Sequence, residues 1–335
     1  MTVTMADIAR EAGCGVATVG RVIHRNGYVS GEARERIEKA IAELGYVPDR
    51  SARSLKSQRS SIIGCLVMQS DNGLYYSIND EVIRAAEARG LTCITMEAQK
   101  RGGEAALIQT MLGMHVDGIV LISDPNVTAE QFALFRRFKT PVVAIERGYP
   151  EQGADNLLVR DYEAVRDAVG RMIRAGHRRV AMIAMEPIMD VERRRLQGYR
   201  DALGAAGLGT DDSLIRLGAD YTVTFGREAM ESLLALAEPP TAVMATADTL
   251  AAGVLQAAYA AGLRIPADLS VCGYDNVLSQ SLSPAIDSVG LRLNGLGETV
   301  MNLLERRRDD PDAASERLAI DTEYVSRGTV IAPKI

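Results

Sequence analysis

From residue 61 onward the chain alternates strand-sized apolar runs with helical segments. The series runs "SIIGCLVM", "INDEVIRAAEARG", "TCITM", "EAALIQTMLG", "DGIVLIS", "AEQFALFRRF" and "PVVAIE". After a crossing near 157–161 it resumes through "RVAMIA", "RRLQGYRDALGAAG", "TAVMATA" and "LSVCGYD". Alternation of this length predicts parallel sheets with helices on both faces, here as two lobes in tandem. Ligands of such sheets bind at the carboxyl ends of the strands. Two lobes with a cleft between them would set those loops face to face.

The 335 residues exceed one average domain and suggest about two or three. The longest apolar runs, such as "IIGCLVM" and "PVVAI", fall well short of the roughly 20 residues that cross a membrane. The opening "MTVTMADIAREAG" has no basic region followed by an apolar one, so no secretory signal is expected. Cys14, Cys65, Cys93 and Cys272 are widely scattered. They read as free thiols in a reducing cytoplasm, with no disulfide framework and no metal site. The expectation is a cytoplasmic protein without a membrane partner.

Charge divides the chain. Residues 1–60 carry ten Lys/Arg against seven Asp/Glu, and the remainder carries 28 against 37. A mildly basic head on an acidic body suits a small nucleic-acid-binding unit joined to a part that binds none.

Within the head, Ile8 and Ala9, then Val19, Val22 and Ile23, then Ile37, Ile41 and Leu44 form three short apolar faces at helical spacing. Gly13 closes the first segment, the second follows Gly15, and Ser30 can cap the third with Glu32 in its first turn. Two helices joined by a short glycine-containing turn, braced by a third, describe a helix-turn-helix. Such a unit lays its second helix in the DNA major groove. The plainer alternative is a three-helix cap on an enzyme. Next comes "ELGYVPDRSARSLKSQRS", where Pro48 stops the third helix and Asp49 can cap a very short one. A helix of that length is marginal in water and needs a surface to fold against.

The stretch "ADIAREAG…ATVGRVI…GYVSGEARERIEKAIAELGYVPDRSARSL" resembles the head of the lactose/galactose repressor (LacI/GalR) family of bacterial transcription regulators. The resemblance implies a helix-turn-helix domain over 1–48, a hinge helix and linker over 49–60, and a two-lobed effector-binding and dimerisation domain over 61–335. It implies that Val16, Ala17 and Arg21 face bases, that Thr18 contacts phosphate, and that Leu55 wedges into the minor groove. The chain departs from the family where Gly15 and Gly20 stand for the usual Ser, and where His24 stands for a common Asn.

The body resembles the family too, in "PTAVMATADTLAAGVLQAAYAAGLRIP" and "IPADLSVCGYDN", a lobe similar to periplasmic sugar-binding proteins. Asp275 follows an apolar strand at a sheet's carboxyl edge, as a ligand contact or as a cap for the next turn. By resemblance, Arg193 matches an effector-binding arginine and Tyr221 a stacking aromatic. Glu146 replaces the usual Asp, and Tyr75 and Tyr76 stand where aromatics close over ligand. Asp248 opens a helix, as cap or contact. Ala247 and Leu291 replace residues that are often polar. Carboxylates, an arginine and tyrosines suit a polyhydroxylated effector, a sugar or sugar derivative, with a nucleobase or sugar acid as the alternative.

No GxGxxG, GxxxxGK[ST] or GxSxG follows a strand, and His24, His115 and His177 stand isolated. The sequence therefore predicts no cofactor, no metal and no enzyme. It predicts a homodimeric repressor of a carbohydrate-utilisation operon, released by a sugar-like effector from a pseudo-palindromic double-stranded DNA operator. A corepressed regulator and a sugar-binding protein that ignores DNA are the competing readings.

Overall fold

Thr4 and Asp7 start the first helix, α1 (Met5–Glu11), through a reciprocal cap. The Asp7 amide donates to Thr4 Oγ1 at 3.3 Å, and the Thr4 amide to Asp7 Oδ2 at 2.9 Å. The computed structural model describes residues 3–23, 26–46, 59–68, 73–98, 103–123, 127–146, 148–149, 153–188 and 190–334. They divide into two units, Met1–Ser60 and Ser61–Ile335.

In the first unit, α1 is followed by α2 (Val16–Ile23) and α3 (Gly31–Leu44). Ser30 precedes α3 as expected, but its side chain makes no capping hydrogen bond. Ile8, Val19 and Ile37 are fully buried at the centre, with Ala9, Ala12, Val22 and Ala40 around them. Ile23, Ile41 and Leu44 pack at the rim. The three apolar faces read from the sequence meet in one small core. Leu55 and the expected hinge helix at 49–56 lie outside the described residues, as does His24.

The second unit contains two six-stranded sheets. The first lobe begins with β1 (Ile62–Met68), α4 (Leu74–Ala88), β2 (Thr92–Ala98) and α5 (Glu104–Gly113). It continues through β3 (Gly118–Ser123), α6 (Ala129–Phe138), β4 (Val142–Glu146) and β5 (Asp155–Val159). The second lobe contains α7 (Asp161–Arg174), β6 (Val180–Met185), α8 (Asp190–Ala205), β7 (Ile215–Gly218) and α9 (Val223–Leu234). It also contains β8 (Ala242–Ala245), α10 (Asp248–Ala260), β9 (Ser270–Asp275) and β10 (Asp287–Leu291). The chain then crosses back: α11 (Leu296–Asp309) packs on α4, and β11 (Arg317–Ile320) joins the first sheet. A last crossing leads to β12 (Thr322–Val325) in the second sheet.

The strand orders are β11-β5-β4-β3-β1-β2 and β12-β10-β9-β8-β6-β7. Every pairing is parallel except that of β12 with β10. Central strands such as β3 are buried throughout, so they appear as unbroken apolar runs. The simple tandem of the sequence reading is therefore modified, since the first lobe is completed by the chain's last helix and a late strand. The three crossings lie side by side. The Arg292 amide donates to the Asp321 carbonyl at 2.9 Å, and Arg160 Nε to Asp321 Oδ1 at 3.0 Å.

Helices α7 and α8 approach closely because Gly198 has no side chain: a Cβ there would sit 2.4 Å from the Tyr162 carbonyl. Since backbone opposes backbone at this point, the helices themselves would have to separate. Gly204 lies on the same helix, and a Cβ there meets nothing within 4 Å. Gly198→Ala is expected to destabilise the body by about 1–3 kcal/mol, whereas Gly204→Ala should be neutral or stabilising by up to about 1 kcal/mol. Denaturant unfolding of the two variants checks this, and equal effects would contradict the close-approach account.

Candidate functional site

On α2, Val19 and Val22 enter the head's core, which leaves Val16, Ala17 and Arg21 exposed on another face with Thr18 half-buried. Gly20 lies on this outer side, and a Cβ there would meet nothing within 4 Å. It has no packing role among the described residues.

In the body, the polar centre is Arg195, only 4 % exposed. Its Nε donates to Asp161 Oδ1 at 2.8 Å, and Nη1 to the Tyr221 hydroxyl and the Thr246 carbonyl, each at 3.1 Å. The guanidinium also lies over the Tyr274 ring, 4.1 Å from its centroid, in cation–π geometry. Asp161 is fully buried and accepts in addition from the Tyr274 hydroxyl at 3.0 Å and from Arg194 Nη2 at 3.3 Å. Tyr221 donates onward to Glu192 Oε1 at 2.8 Å. These bonds leave Arg195 Nη2 without a hydrogen-bond partner among the described residues.

The first lobe contributes the opposite wall. Glu146 ends β4 and Ser123 ends β3, while Tyr75 comes from the first turn of α4. Ser123, Glu146 and Asp275 (which ends β9) have φ of 71°, 73° and 91°. Left-handed backbone at non-glycine residues is costly and gathers where surroundings impose it, often at functional sites. All three are the last residues of their strands.

Burial lifts Glu146 to a pKa of about 8; Arg195 opposes the rise, while Asp161, Asp275 and Glu192 add to it. Burial likewise pushes the hydroxyls of Tyr75, Tyr221 and Tyr274 upward, so all three remain neutral. Arg195 loses hydration, but Tyr221, Asp161, Tyr274 and Asp275 more than compensate, and it remains a cation.

Of the effector residues expected from sequence, Tyr75, Glu146, Tyr221 and Asp275 come together here. Three do not. Arg193 is exposed and turns back onto the Ile188 carbonyl at 2.6 Å and onto Asp190. The arginine of the cluster is Arg195, two residues on. The buried stripe of α8 runs Glu192, Arg195, Leu196, Tyr199, Ala202 and Leu203, at helical spacing, and Arg193 lies off it. Tyr76 is exposed and donates to Glu97 at 2.8 Å. Asp248 is consumed structurally: its Oδ2 accepts from the amides of Val277, Leu278 and Ser279, and its Oδ1 from Ser288 Oγ. It clamps the loop after β9 and so fixes the strand end that carries Asp275. Asp161, Glu192, Arg195 and Tyr274 were missed, although the stripe before Tyr199 marks two of them.

Residues 4–49 match the family model "Bacterial regulatory proteins, lacI family", and residues 169–330 match "Periplasmic binding protein-like domain". Catabolite control protein A of Priestia megaterium is 33% identical over 311 residues, covering 91% of this chain and 92% of that protein. The ribose operon repressor of Escherichia coli K12 is 32% identical over 332 residues, covering 97% and 99%. The chain belongs to the LacI family.

This LacI-family protein is a DNA-binding transcriptional regulator and not an enzyme. A solved complex of the transcriptional regulator CelR with cellobiose covers 98% of this chain and 99% of that one, at 32% identity and TM-score 0.71. A Lac repressor dimer bound to operator shares the fold at TM-score 0.83 and 23% identity, covering 99% and 100%. Among the described residues, no helix is long and apolar enough to cross a membrane.

Removing one partner of a buried ion pair strands the other. Arg195→Ala is therefore expected to cost about 3–5 kcal/mol of stability, while Arg193→Ala should stay within about 0.5 kcal/mol of wild type. Urea unfolding of both variants decides which arginine belongs to the cluster. A larger loss at Arg193 would contradict the assignment.

Proposed function

We propose that this regulator is a cytoplasmic homodimeric repressor of a carbohydrate-utilisation operon, released from a pseudo-palindromic operator by a small sugar-like effector held between its lobes. The observation that carries the reading is Arg195: it is buried, charged and surrounded by tyrosines and carboxylates, with Nη2 left unbonded among the described residues. Strand ends of both lobes contribute to its surroundings, which is where ligands of such sheets bind. Neutral tyrosine hydroxyls and carboxylates complement a polyol. The relatives support the class, since one is named for the ribose operon and CelR was solved with cellobiose.

In this reading the head spans 1–48, the hinge 49–60 and the body 61–335. Val16, Ala17 and Arg21 face base edges, Thr18 meets phosphate, and Leu55 wedges into the minor groove. Gly20 removes a hydroxyl that could meet phosphate from that side. Tyr75, Glu146, Arg195, Tyr221 and Asp275 hold the effector. A ligand gripping both lobes sets the angle between them, and in a dimer that angle sets the separation of the two hinges. Reversing such a switch from 1:99 to 99:1 requires about 5.5 kcal/mol of differential affinity, shared between two ligands.

A two-fold dimer demands two-fold DNA. DNase I footprinting on genomic fragments is expected to protect a symmetric site, and sugars that raise the protein's melting temperature should weaken that protection. Asymmetric protection, or sugars that bind without altering it, would overturn the reading. Tighter DNA binding with sugar would replace induction by corepression.

A further inference from the structure

Glu192 is only 8 % exposed, yet half of its carboxyl group is idle. Its Oε1 accepts from the Tyr221 hydroxyl at 2.8 Å, whereas Oε2 is buried with no hydrogen-bond partner. Few buried polar atoms are left in that state, because each forfeits its hydration without replacement. Among the described residues, it is the only buried carboxylate oxygen without a partner.

Tyr221 donates its one proton to Oε1, and on the same oxygen it accepts from Arg195 Nη1 at 3.1 Å. It thus ties Glu192 to Arg195, one turn further along the buried stripe of α8. Arg195 keeps Nη2 unbonded among the described residues. One face of one helix therefore offers an acceptor without a donor and a donor without an acceptor. Glu192 is also within electrostatic reach of Glu146, at the end of β4 in the first lobe, and helps to raise its pKa. The chemistry of the pair restricts what can satisfy it. An ammonium can only donate, and at Glu192 it would stand one turn from the Arg195 cation. A carboxylate can only accept, and at Arg195 it would stand one turn from Glu192. A hydroxyl does both, and hydrogen bonds chained through it strengthen one another.

We propose that Glu192 is a further effector-binding residue, whose Oε2 accepts the proton of a hydroxyl on a neutral polyol while Arg195 Nη2 donates to that hydroxyl or to its neighbour. This rests on the reading of the cleft as the effector site, and it adds to that site the residue that selects for hydroxyls. Tyr221 holds the two side chains in place, its own proton committed to Glu192.

The test is titration calorimetry on the full-length protein with ribose, glucose, galactose and cellobiose, and with the monodeoxyfluoro derivatives of those that bind. Fluorine accepts weakly and cannot donate, so each derivative removes one donated proton. At one position the fluoro derivative is expected to bind roughly 10- to 100-fold more weakly than its parent. In Glu192→Gln and in Glu192→Ala that penalty should shrink to about 3-fold or less. A general folding defect weakens parent and derivative together and leaves their ratio unchanged, so the ratio reports contact with the ligand. Glucosamine and glucuronate are each expected to bind more weakly than glucose, and tighter binding of either overturns the hydroxyl. The absence of any penalised position, or a penalty that persists in both variants, overturns the role of Glu192 and leaves the sugar-effector reading standing. If none of the four parent sugars binds, that reading and the role of Glu192 fall together.

Discussion

The body is organised around the buried pair of Asp161 and Arg195. Taking both charges from water costs several kcal/mol per ion, and only dense hydrogen bonding offsets that. Here it is dense: Asp161 accepts from Arg195, Arg194 and Tyr274, and Arg195 is further held by Tyr221, the Thr246 carbonyl and the Tyr274 ring. Well-packed apolar residues would often stabilise a core more. What the pair supplies is placement. Asp161 is the first residue of α7, just after the chain enters the second lobe, and Arg195 comes from α8. The interaction therefore locks the start of α7 to the buried face of α8, the wall of the proposed effector site. Gly198 lets α7 and α8 come close enough for it to form.

The same economy governs the hinge between lobes. Each lobe contains a segment that arrives late, α11 and β11 in the first and β12 in the second. Three short crossings connect the sheets, and Asp321 joins the other two through the Arg292 amide and Arg160. Short parallel connections permit rotation of one lobe against the other while resisting translation. In the proposed function, that rotation is the signal.

Much of this was legible in the sequence, for identifiable reasons. Buried parallel strands need unbroken apolar runs, so β1, β3, β4 and β6 are readable directly. The head's three faces obey helical spacing, and Ile8, Val19 and Ile37 meet where that spacing puts them. Arg193 was misplaced because three consecutive arginines look alike in sequence, and only the phase of the Leu196–Tyr199–Leu203 stripe distinguishes Arg195. Asp248 opens a helix at a strand's end as a ligand contact would, yet four hydrogen bonds from residues 277–288 consume it. Those partners lie about thirty to forty residues away, and no local pattern reveals them. Asp161 was hidden for the same reason, since its meaning depends on Arg195 and Tyr274. The recognition helix was readable in outline, including Gly20, whose outward position gives its lost hydroxyl no internal substitute.

The central claim is that the cleft and the DNA-reading head share one equilibrium. Linkage makes that measurable: an effector that weakens operator binding by some factor must itself bind the operator complex more weakly by the same factor. The affinity of the tightest-binding sugar is to be titrated on free protein and on protein saturated with operator. The ratio is then compared with the loss of operator affinity at saturating ligand. The account predicts that the two factors agree. Equal ligand affinity with and without operator would contradict it.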